Sequence, residues 1–247
     1  MGMRVRQLCL VFFSASFAVA SVWSQDAGVQ IGDHASWAVE TVWSSNLSGE
    51  KPTVLVNFTQ GVEVLEATVR WVAPTSVRYD LTARFRSGAA RTPVPYQDLS
   101  SGDLGGSVSD LSREGIPGLG MSFILSGLDP GDAFGFWWRG ESRSSRVESV
   151  ETRSYAGGLR QVCVATYASA SDNLTEMLAA VWDRATGILC EATLVWCTPT
   201  STTKTTIRII ETNRWGLVQG RSMLMLLPAM LCAVIVGIYL YRRRIRG

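Results

Sequence analysis

The chain is short of the residues that carry most enzyme chemistry. Of its 247 residues one is histidine, His34 in "GDHASW". A serine or cysteine nucleophile that depends on a histidine base would have to use it. No G-x-S-x-G accompanies it, so it reads as an exposed structural histidine. One histidine and no C-x-x-C also argue against zinc sites of familiar spacing. Lysine is nearly absent, two residues against 21 arginines. The arginines are scattered, which points to a coding bias rather than a binding surface. No fixed-period repeat and no low-complexity linker occurs, and no cofactor, metal or catalytic residue is assigned.

Cysteine is scarce where it would matter. Cys9 and Cys232 lie in the two apolar ends, leaving Cys163, Cys190 and Cys197 between them, an odd set in which one thiol must stay unpaired or link two chains. Cys190 and Cys197 are seven apart in an expected strand and point to opposite faces, so they should not bond to each other. A bond from Cys163 to either remains open. Whatever the pairing, this is not a disulfide scaffold, and an immunoglobulin-type arrangement lacks its Cys–Trp–Cys pattern.

Charge is missing altogether from one stretch. Met223 to Tyr241 is nineteen residues without a charge, followed by Arg242, Arg243, Arg244 and Arg246. At about 1.5 Å per residue a helix of this length reaches about 28 Å, close to the hydrocarbon thickness of a bilayer. A buried helix of a soluble domain would carry a polar stripe, and none is present. Tyr239 and Tyr241 suit an interfacial belt, and arginine clusters mark the cytoplasmic side. A transmembrane helix is expected at 223–241, with a basic tail at 242–247. At the other end, Arg4 and Arg6 precede an apolar stretch from Leu8 to Val19 and the small residues Ala18-Val19-Ala20. This is the pattern of a signal peptide over 1–20, with an uncut membrane anchor as the alternative. Either way the middle is exported. The expected protein is single-pass, with an extracytoplasmic domain at 21–213 and a stalk at 214–222.

Six of the 23 basic residues lie in the two ends and all 21 acidic residues lie between them, so the outer part carries 17 against 21. It has no nucleic-acid signature. Its pattern is that of strands. In "SVRYDLTARFRSG", Val77, Tyr79, Leu81, Ala83 and Phe85 alternate with Arg78, Asp80, Thr82, Arg84 and Arg86. Period two with one apolar face predicts a half-buried antiparallel strand. Leu65, Ala67, Val69 and Trp71 alternate just before it, and Ala73-Pro74-Thr75-Ser76 supplies the turn of a hairpin. A second hairpin is predicted in "TEMLAAVWDRATGILCEATLVW", turning at Asp183–Gly187, with Ile188, Cys190, Ala192, Leu194 and Trp196 inward. Further strands are predicted at 37–43, 53–59, 121–126, 133–138, 146–153, 159–168 and 205–212, and one weak helix at 107–114. The fold class is therefore mainly β: an antiparallel sandwich or a strongly curved, half-barrel-like sheet, plus the terminal membrane helix.

Several stretches in order resemble an uncharacterised family of archaeal secreted and membrane-anchored β-rich proteins with an N-terminal signal and a C-terminal transmembrane helix. They are "VQIGDHASWAVE", "ATVRWVAPTSVRYDLTARFRSG", "DLSSGD", "FILSGLDPGDAF", "ETRSYAGGLRQVCVAT", "AAVWDRATGILCEATL" and "TTIRIIETN", spanning about residues 29–213. Trp37 and Cys163 depart from the family's usual residues. The resemblance implies an extracytoplasmic β domain on a membrane stalk and brings no activity or site residue with it.

Candidate sites are few. Asp98, Asp103 and Asp110 lie in the Gly/Ser-rich "DLSSGDLGGSVSD", where oxygen ligands for calcium compete with a plain surface loop. Asp129 and Asp132 flank Pro130-Gly131, the composition of a type II turn, against a catalytic pair such as a hydrolase would use. Asn46, Asn57 and Asn173 begin three N-x-S/T sequons. Nine tryptophans invite an apolar-ligand reading, with "FGFWWRG" its densest patch. Phe134, Phe136, Trp137 and Trp138 could line a curved sheet sheltering a lipid, or fill a wide β interior as core. The expected function is a non-catalytic binding or envelope-associated domain with a lipid, glycan or protein ligand. The alternatives are a carrier or sensor of apolar molecules, resembling the half-barrel lipoprotein carriers of bacterial envelopes, and an extracellular hydrolase using aspartate pairs.

Overall fold

A computed structural model describes residues 25–107, 116–138 and 140–215. The chain is mainly β, and eleven strands form one antiparallel sheet that does not close. Its first part is a meander of β1 (His34–Ser45), β2 (Val62–Ala73), β3 (Ser76–Phe85), the two-residue β4 (Ala90–Arg91), β5 (Val94–Asp98) and β6 (Leu104–Ser107). Its last part is a second meander: β9 (Ser149–Tyr155), β10 (Gly158–Ser171), β11 (Leu174–Asp183), β12 (Leu189–Cys197) and β13 (Ser201–Thr212). The two halves join at the centre, where β1 pairs with β13 from Ala35↔Thr212 to Ser45↔Ser201. Between the meanders, β7 (Ala133–Trp138) and β8 (Glu141–Arg146) form a separate hairpin.

Period two explains the buried face. Val77, Tyr79, Leu81 and Ala83 of β3 are fully buried, as are Leu65, Ala67 and Val69 of β2. Trp71 breaks the pattern. β2 carries a bulge in which Val69 faces Tyr79 and Trp71 faces Arg78, so Arg70 is an extra residue. One inserted residue reverses every side chain that follows. Trp71 is consequently 44% exposed and lies against Tyr96 at 5.9 Å between ring centroids. The second hairpin forms as expected, with Gly187 at φ +69° in its turn.

Two expected strands are absent as such. Thr53–Thr59 is rich in β-branched residues, but Val54–Gly61 is a helix, α1. Thr53 caps it, its Oγ1 accepting from the Val56 N–H at 3.2 Å. Val56 and Thr59, three apart, face inward, so capping and helical spacing override strand propensity. Met121–Ser126 makes only one bridge, Phe123↔Ile188. A short apolar run does not reveal its period, and this one is an irregular segment buried on every side. The expected strand 146–153 is divided between β8 and β9, and β4, β5, β6 and most of β8 were not foreseen. Residues 108–114 of the weak helix, the signal segment, and the span with its tail lie outside the described residues. Among the described residues no helix is long and apolar enough to cross a membrane.

Candidate functional site

The inner face of the sheet is where an aromatic-lined ligand site would sit, and the chain itself occupies it. The β7–β8 hairpin lies across the second meander. Phe134 meets Trp182 at 5.0 Å, Phe136 meets Tyr167 at 5.5 Å, and Trp138 meets Trp196 at 6.3 Å, all edge-to-face. Phe134, Phe136 and Trp138 are buried, and Trp137, pointing the other way, is half-buried. Residues 116–128 run between the two meanders, bonded to Gln97 and Tyr79 of the first and to Trp182, Gly187 and Leu189 of the second, and are buried throughout. These four rings therefore sit in the packed interior.

An irregular segment inside a core must have its backbone groups satisfied, because it has no ladder. Three polar side chains of the sheet do this. The buried Gln97 donates from Nε2 to the Gly120 carbonyl at 2.8 Å and to the Phe123 carbonyl at 3.1 Å. Its Oε1 accepts from the Tyr79 hydroxyl at 3.2 Å, which in turn accepts from the Gly120 N–H at 3.3 Å. Trp182 Nε1 donates to the Met121 carbonyl at 2.9 Å. Burial raises the Tyr79 phenol well above its ordinary value, while its bond with Gly120 pulls the other way, so it stays a neutral donor. No local signal joins Tyr79 in "VRYDLTARF" to Gln97 in "VPYQD": Gln97 faces Val77 in the register, and only the topology brings the two side chains together.

The carboxylates have local roles. Asp132 N donates to the Asp129 carbonyl at 3.0 Å with Gly131 at φ +94°, which is the expected turn. Asp132 Oδ2 accepts from the Asp129 N–H, and Asp129 pairs with Arg184 at 2.6 Å. Asp98 accepts from the N–H groups of Ser100 and Ser101. Partial burial would raise its carboxyl, but these bonds and the Ser100 hydroxyl hold it below the ordinary value. Asp103 accepts from the Ser101 hydroxyl, and Asp110 lies outside the described residues. Among the described residues no group of three His, Cys, Asp or Glu could hold a metal ion. His34 is half-buried, its Nδ1 3.3 Å from Thr68 Oγ1.

The three central cysteines are free thiols. Cys163 lies opposite Trp182 of β11, whose next partner is Leu189 of β12. A full strand therefore separates Cys163 from Cys190, about 9–10 Å and beyond disulfide reach. Cys197 is at the far end of β12. Desolvation pushes the Cys163 thiol up to about 12 and raises Cys190 well above its ordinary value.

The sheet has two unlike ends. β13 runs out at Thr212, and Arg214 and Trp215, expected to begin a stalk, belong to the domain. Both are buried, and Arg160 holds Trp215: its guanidinium lies 4.9 Å over the Trp215 ring and donates to the Trp215 carbonyl at 3.0 Å. Arg214 pairs with Asp33 at 3.4 Å. The β9–β10 and β11–β12 turns and residues 25–33 lie at this end. A cleft of about 410 Å³ opens there between Ala156–Gly158 and Ile210–Thr212. The opposite end carries the β10–β11 turn, the β12–β13 turn and the connection from β1 through α1 to β2. Asn46, Asn57 and Asn173 are all there, and all are exposed.

No protein-family model, no curated protein and no solved structure matches the chain.

Proposed function

We propose that the protein is a single-pass membrane protein displaying a mainly β, half-barrel-like domain on the outer face of the cell, where it acts as a non-catalytic binding or envelope-associated module. The observation that carries this is the uncharged run Met223–Tyr241 closing on four arginines, eight residues after Trp215, the last buried side chain among the described residues. The archaeal resemblance supports the same topology, and the three exposed sequons suit an exported surface. Sheet surfaces and loops would contact a glycan, a lipid or a partner protein. The inner face supports a binding reading over a carrier, because an apolar ligand would have to displace residues 116–128 with their hydrogen bonds. Asp129 and Asp132, committed to a turn and an ion pair, support it over an aspartate hydrolase.

The test is protease treatment of intact cells carrying a C-terminal epitope tag. The body should be digested while the tag stays protected and resists alkaline carbonate extraction. A tag reachable from outside, with the body protected, would overturn the topology. Native mass spectrometry of protein removed from detergent should show no retained lipid; a stoichiometric lipid would favour the carrier.

A further inference from the structure

The two ends of the sheet differ in what they offer a neighbouring surface. At the Trp215 end, Ile31, Leu159 and Ile210 are 69%, 76% and 51% exposed. Ile31 sits beside Gly32, whose carbonyl accepts from Asn213, and Ile210 is the residue by which β13 bulges between Ser36↔Glu211 and Trp37↔Ile209. Ile210 and Gly158, the neighbour of Leu159, line the same cleft. Exposed apolar side chains also occur toward the opposite end, at Val42, Leu47, Val54 and Met177, but each lies within four residues of a sequon asparagine, Asn46, Asn57 or Asn173.

We infer that the Trp215 end is a lipid-contacting surface, with Ile31, Leu159 and Ile210 resting on the headgroup region and the three sequons held away from it. This rests on the membrane-anchored reading above. Trp215, held by Arg160, is eight residues before Met223, a tether of at most about 28 Å when fully extended. The twelve residues of β13 span about 40 Å. The tether therefore holds the Trp215 end close to the bilayer and is too short to let the domain stand off by its own length. Hydrated glycans at Asn46, Asn57 and Asn173 would resist the reverse orientation. Exposed Arg208 and Glu211 on either side of Ile210 carry opposite charges, so the contact rests on the apolar side chains and added salt should not weaken it.

The experiment uses the full chain in phosphatidylcholine vesicles containing a lipid with a spin label near its headgroup. Cys9, Cys197 and Cys232 are changed to alanine, and single cysteines are introduced by Ile31→Cys, Leu159→Cys, Ile210→Cys or Asn173→Cys and labelled with a fluorophore. Quenching should be several-fold stronger at the first three positions than at Asn173, and unchanged in 0.5 M salt. Equal quenching at both ends, or stronger quenching at Asn173, in protein that survives carbonate extraction would overturn the orientation alone. Release of the protein by carbonate would overturn the anchor reading, and this inference with it.

Discussion

Gln97→Leu should destabilise the domain out of proportion to its size. The glutamine is fully buried and serves the Gly120 and Phe123 carbonyls and the Tyr79 hydroxyl. Gly120 keeps a second donor, the Trp137 N–H at 3.0 Å, so the substitution orphans mainly the Phe123 carbonyl and the Tyr79 proton. An unsatisfied buried group costs about 1–3 kcal/mol, giving about 2–6 kcal/mol for two. The leucine recovers part of this through apolar burial, leaving a net loss of about 2–4 kcal/mol. In a domain of this size that is a Tm fall of roughly 4–16 °C. Urea unfolding of the full chain in detergent, followed by tryptophan fluorescence, measures it. Gln161→Leu, on the surface, should stay within about 0.5 kcal/mol. Gln97→Glu adds a test of sign. A carboxylate there would face carbonyl oxygens, so its pKa would be higher folded than unfolded. The folded state would then bind the extra proton, and stability should rise as pH falls from 7 toward 5. A leucine variant as stable as the parent, or a glutamate variant with no added pH dependence, would refute the claim that Gln97 holds the inserted segment.

Three further outcomes follow from the same core. Gly187→Ala should cost about 2–4 kcal/mol by urea unfolding, because the residue has φ +69° and a Cβ would overlap the Ile124 carbonyl oxygen. Burial raises the Asp183 carboxyl above its ordinary value, with Thr186 and Arg160 pulling it back, so its contribution to stability declines as pH rises from the ordinary carboxylate range upward. Asp183→Asn should flatten that slope, read as urea midpoints at pH 4 and pH 7. Native iodoacetamide labelling with peptide mapping should modify the half-buried Cys197 first and spare Cys163 and Cys190 until the domain is unfolded.

The parts of the fold written in local pattern were legible. Alternation in "SVRYDLTARF" and the glycine in "DRATG" sufficed for two hairpins, since register follows from which face is apolar and how the turn closes. Elsewhere the deciding information is not local. Nothing in "TVLVNFT" weighs Thr53 as a cap against four β-branched residues, and α1 forms where tertiary burial of Val56 and Thr59 decides. The single extra residue at Arg70 that turns Trp71 outward leaves no mark in the alternation before it. "GLGMSFILSGL" reads as apolar under any geometry, and its role as filler depends on Gln97 and Tyr79 arriving from other strands. The rings of "FGFWWRG" were recognisable as important, but whether they line a void or fill it is a property of the whole interior. The asymmetry between the two sheet ends was legible only in part: the sequons are visible in sequence, their shared location is not.

The pairing of β1 with β13 sets the order in which the molecule can be completed. The first strand to be synthesised finds its central partner 177 positions later, at Ala35↔Thr212. The early meander must therefore wait, with one edge open, until almost the whole domain has been synthesised. Closure of the central seam is the slow, non-local event. It becomes available only once residues 201–212 are free to pair, so the sheet should be completed last of all, as a single late step.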